Sequence, residues 1–156
     1  MRTARVPVGV LILTGALGAP GPRPPLPAAV REVITTHCAG WQFAPVDSAR
    51  VRGWRPGDRP DWVSGDFDGD GRRDYAVQIM CPTGKMTPVE RLALLARGTT
   101  YQLFVLAIVP ATEAYFFHVS SEPGYPPELS AVMDEERSLL YQWKGDHFEE
   151  VLLGKD

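Results

Sequence analysis

The 156-residue chain contains no asparagine, so it carries no N-glycosylation sequon. Lysine is scarce: arginine supplies most of the 16 basic residues, a bias that points to a GC-rich bacterial genome. The formal net charge is −3 and no basic stripe is present, which argues against nucleic acid as a partner. No apolar run reaches the roughly 20 residues needed to span a bilayer. A G-x-S-x-G elbow and a phosphate-cradling glycine loop are missing. His37, His118 and His147 fall in three separate predicted elements, none at metal-ligand spacing. No segment repeats at a fixed period, which excludes solenoids and propellers.

What is present begins with an export signal. Arg2 and Arg5 precede the apolar run Val6 to Leu17, and Ala16-Leu17-Gly18-Ala19 offers small residues for cleavage. Cleavage after Gly18 is preferred, because Pro20 would directly follow a cut after Ala19. Residues 1–18 are therefore read as a signal peptide and 19–27, rich in proline, as an extended tether. The remaining 28–156 form one domain with enough chain for a single core. The expected location is secreted or periplasmic, with no membrane span after cleavage. In such a compartment the two cysteines, Cys38 and Cys81, are expected to form a disulfide, the alternative being two buried thiols.

The strongest local signal is Asp66-Phe67-Asp68-Gly69-Asp70-Gly71-Arg72-Arg73-Asp74, followed by Tyr75-Ala76-Val77-Gln78-Ile79-Met80. Ca²⁺ takes six to eight oxygen ligands, mostly carboxylates and carbonyls. A short loop supplies them by curling and sending alternate side chains inward. Asp66, Asp68 and Asp70 fit that alternation, the Arg72 carbonyl comes next, and Asp74 closes the shell. Gly69 and Gly71 ease the turn. An EF-hand requires Glu at position twelve, but that position is Val77, and Pro60 to Gly65 is not helical in pattern.

The string GDFDGDGRRDYAV resembles instead the FG-GAP/VCBS-type repeat, the calcium loop of integrin-like β-propellers and many secreted bacterial proteins. The resemblance covers residues 62–80. It implies Ca²⁺ held by Asp66, Asp68, Asp70, Asp74 and the Arg72 carbonyl. The motif occurs once, with only a faint echo at Gly57-Asp58-Arg59-Pro60-Asp61, so a full propeller is not expected. A helix-then-meander order also resembles small exported proteins of unknown function that carry one such loop.

The expected fold is α+β, mainly β: an N-terminal helix followed by an antiparallel meander with the calcium loop between two strands. Val30, Val33, Ile34, His37 and Trp41 recur at helical spacing. Strands are expected at 62–66, 75–81, 91–97, 101–109, 114–120, 139–143 and 147–153. Residues 88–96 also fit a short helix that starts at Pro88. The strand reading is preferred because another strand follows after a short turn. Residues 122–129, with three prolines, read as a surface loop.

The expected function is binding through an unknown protein or glycan partner, by a monomer whose ion is structural. Trp54, with Arg52 and Arg55, has the composition of a recognition patch. Trp41, Trp62 and Trp143 are read as packing residues. Two alternatives remain: a periplasmic inhibitor or immunity-type protein, and a hydrolase with a dispersed site. His118 and Ser120 share a strand face, and Asp134-Glu135-Glu136 offers carboxylates. A solvated strand end and a solvated turn explain both without catalysis.

Overall fold

A computed structural model describes residues 25–45, 61–84, 87–113, 116–120, 127–132 and 137–154. The expected signal peptide (1–18), residues 19–24 of the expected tether, the expected patch of Trp54, Arg52 and Arg55, and Asp134-Glu135-Glu136 lie outside the described residues. Among those described, no helix is long and apolar enough to cross a membrane.

The chain opens with helix α1, Ala28–His37, whose first turn is closed by the Arg31 N–H donating to Pro27 O. Nine strands follow among the described residues: β1 Gln42–Phe43, β2 Trp62–Gly65, β3 Asp74–Met80, β4 Val89–Arg97, β5 Thr100–Val109, β6 Phe116–Ser120, β7 Glu128–Val132, β8 Arg137–Trp143 and β9 Phe148–Gly154. All their pairings are antiparallel. They make two sheets, β1/β2–β3–β4–β5 and β6–β7–β8–β9, and neither forms a closed or propeller sheet.

The fold class is as expected, but the single meander is divided in two. Strand β7 takes Glu128 and Leu129 out of the expected proline-rich loop and pairs them with Ser120 and Val119. Along one edge of β3 the neighbour is split: β1 pairs with its end and β2 with its start. Gln78 joins the two pieces, because its O accepts from Ala44 N–H while its N–H donates to Asp61 O.

Helix and sheets stack in three layers. Val30, Ile34 and Cys38 pack on Tyr75, Val77, Ile79, Leu92 and Leu94, on one face of the first sheet. The opposite face sends Ala76 and Leu95 toward Phe117, Leu129, Ala131 and Tyr141 of the second. Strands β3 and β4 therefore bury apolar side chains on both faces, as the centre of a middle layer must. A disulfide joins Cys38, at the helix end, to Cys81, just beyond β3.

A polar contact crosses the layer between the sheets. Arg91, 1% exposed, donates from Nη1 to Tyr141 Oη at 3.2 Å and from Nε to Gln78 Oε1 at 3.4 Å. Burial pushes the Tyr141 hydroxyl up to about 12, against the opposing pull of Arg91. An unfolded tyrosine ionises near 10. Stability is therefore unaffected by this group below pH 10 and falls as pH rises from 10 to 12, by about 3 kcal/mol in all. Urea unfolding between pH 8 and 11.5 should show that decline, with a shallower slope for Tyr141→Phe. Equal slopes would place the Tyr141 hydroxyl in water.

Candidate metal centre

The loop between β2 and β3 is a reversal whose ends are fastened by its own carboxylates. Its glycines take left-handed backbone conformations, φ 77° at Gly69 and 82° at Gly71, which side chains disfavour. Gly71 N–H donates to Asp66 Oδ2 at 2.9 Å and Asp70 N–H to Asp68 Oδ1 at 3.2 Å. Arg72 N–H donates to Asp70 Oδ1 at 2.8 Å. Phe67 points the other way, into the core between the sheets, and anchors the loop.

Asp74 is fully buried at the start of β3 and holds two elements at once. Its Oδ2 accepts from Phe67 N–H at 2.8 Å, and its Oδ1 accepts from Ala96 N–H at 2.8 Å, near the end of β4. Burial pushes its carboxyl above the usual carboxylate range. The Ala96 and Phe67 N–H groups pull the other way, and the charges of Asp68 and Asp70 add to the rise. A cation among these groups would reverse that balance.

Asp66, Asp68 and Asp74 each place a carboxylate oxygen so that the three lie within 4.8 Å of one another, a spacing that could hold a metal ion. Asp66 Oδ1 is buried and has no hydrogen-bond partner among the described residues. A buried carboxylate oxygen without a partner is costly in the absence of a cation. The donors are all hard oxygens, the set suited to Ca²⁺, Mg²⁺ or Mn²⁺ and not to thiophilic metals. The residues present therefore fit a hard cation.

Asp70 stands apart from this trio: its Oδ1 is taken by Arg72 N–H, and its Oδ2 lies 3.6 Å from Arg97 Nη1 and 4.0 Å from Arg72 Nε. The Arg72 guanidinium is turned to solvent.

Sequence reasoning missed Arg97. Its Nη1 donates to Asp68 Oδ2 at 2.6 Å and to Ala96 O at 2.9 Å. Its carboxylate partner lies 29 residues away, in the loop beside the neighbouring strand, and no local spacing announces it. The histidines do not converge. His37 ends α1 and meets Glu90 Oε2 of β4 at 2.6 Å, His118 lies on β6, and His147 contacts Asp146 in the β8–β9 turn.

No protein-family model, no curated protein and no solved structure matches this chain.

Proposed function

We propose that residues 66–74 form an FG-GAP/VCBS-type calcium loop, and that the ion is structural in an exported domain that works by binding. The observation that carries this is the convergence of one carboxylate oxygen each from Asp66, Asp68 and Asp74 to within 4.8 Å. Asp66 also holds a buried oxygen, Oδ1, with no hydrogen-bond partner among the described residues. Charge supports it. The loop brings four carboxylates into nine residues, and Asp68 and Asp70 lie within 4.0 Å of a guanidinium, Asp68 of Arg97 and Asp70 of Arg97 and Arg72. A divalent cation would offset the mutual repulsion of these carboxylates.

In this reading Asp70 and the Arg72 carbonyl complete the shell, and the ion fastens the loop to β3. The chain's own residues do the rest. Asp74 ties the loop to β4, Phe67 roots it in the core, and the glycines permit its curvature. The disulfide supports an oxidising, extracytoplasmic setting. Millimolar calcium outside the cell would fill even a weak site.

Thermal unfolding of the oxidised protein, with millimolar calcium and again with chelator, tests the proposal. Binding to the folded state alone stabilises by about 2.7 kcal/mol when calcium exceeds its Kd a hundredfold. A melting rise of several degrees is expected for wild type and none for Asp66→Ala combined with Asp68→Ala. Asp74 is left intact because its removal would unfold the loop for other reasons. An equal response in both proteins, or none in either, rejects the loop as the site.

A further inference from the structure

We infer that Arg97 is a built-in competitor for the proposed ion, and that it sets how tightly the loop binds. The inference rests on the calcium reading above, and adds to it the residue that regulates affinity. The central fact is a shared ligand. The Asp68 side chain is 5% exposed and has two oxygens: Oδ1 accepts from Asp70 N–H at 3.2 Å, and Oδ2 accepts from Arg97 Nη1 at 2.6 Å. A cation at the Asp66–Asp68–Asp74 cluster draws on that same carboxylate. It meets a guanidinium that already takes charge from Asp68 and repels a second positive centre.

Arg97 is placed to yield. Its side chain is 35% exposed, unlike the enclosed Arg91 at 1%, so the guanidinium has solvent to move into. Its backbone is held independently of its charge. The neighbouring Ala96 N–H is fixed on Asp74 Oδ1, and Arg97 itself pairs with Thr100 across the β4–β5 hairpin. Losing the guanidinium therefore leaves the strand in place beside the loop. With it, one buried carboxylate always has a cation: Arg97 when calcium is scarce, the ion when calcium is abundant. Such a loop fills in a calcium-rich exterior and stays weakly occupied elsewhere.

The opposing role, in which Arg97 only steadies Asp68 for the ion, predicts the opposite sign. Calcium titration calorimetry on oxidised wild type, Arg97→Gln and Arg97→Lys separates them. Arg97→Gln should bind calcium about tenfold more tightly, and Arg97→Lys should lie between it and wild type. An unchanged or weaker Kd in Arg97→Gln, with wild type binding, overturns the inference and leaves the calcium loop standing. No calcium uptake by wild type or by Arg97→Gln overturns the calcium reading itself.

A second measurement needs no variant. In wild type, the ¹⁵N guanidinium resonances of Arg97 should report restricted rotation in chelator and release on adding calcium chloride. Signals that stay restricted in saturating calcium would show that the ion does not displace Arg97.

Discussion

Asp74→Ala is expected to lower the unfolding free energy by about 3–5 kcal/mol, because it strips partners from two buried backbone donors. Phe67 N–H and Ala96 N–H each lie 2.8 Å from an Asp74 oxygen, and both bonds are buried. Orphaning one buried donor costs about 1–3 kcal/mol, so two orphans account for most of the loss. Asp74→Asn provides the graded case. Its amide keeps one acceptor but turns an NH₂ toward the second donor, and it should lose roughly half as much. Urea unfolding in chelator is the right assay, since the cost arises from the backbone and not from an ion. A loss under about 1 kcal/mol in chelator would mean that Asp74 does not join the loop to β4.

Replacing Cys38 and Cys81 together by alanine is the second large effect. The two residues are 43 apart in sequence, and closing a loop of that length stabilises by about 4 kcal/mol in the chain-entropy model. The bond also fastens α1 to the sheet it covers, because Cys38 directly follows the helix and Cys81 directly follows β3. Urea midpoints of the oxidised wild type and the double variant should differ accordingly. Reduced wild type should resemble the variant. A difference below about 1 kcal/mol would show that the denatured chain is already compact near these residues.

The loop is legible in the sequence because its chemistry is local. Four carboxylates and two glycines within nine residues mark a tight acidic loop without help from the rest of the chain, and the regular apolar face marks the helix in the same way. The disulfide is expected from two cysteines in a chain whose first residues read as an export signal. Strand β4 is harder. Val89–Arg97 is buried almost throughout, with Leu92 and Leu94 toward the helix and Leu95 toward the second sheet. A strand covered on both faces loses the alternation that marks strands, so its own pattern also fits a short helix, and the strand is favoured by the strand that follows after a short turn.

Other parts depend on distant partners. The two residues of β1 are too few to show a pattern, and β7 begins directly after Pro127, under the shadow of a proline-rich segment. The division into two sheets depends on which strands pair, not on where strands occur. Arg91 is buried against Tyr141, 50 residues on, and no local spacing announces that contact. Arg97 and the His37–Glu90 contact, 53 residues apart, are hidden for the same reason. Side chains that meet across strands leave no spacing in the sequence to read.

The account turns on whether the loop holds calcium, and direct counting of bound ion tests that most simply. The oxidised protein should be equilibrated with millimolar calcium, its bound ion measured per chain, and the measurement repeated on Asp66→Ala combined with Asp68→Ala. One calcium per wild-type chain, and none in the variant, is the predicted result. A wild-type chain that takes up no calcium, or a variant that retains it, would contradict the account.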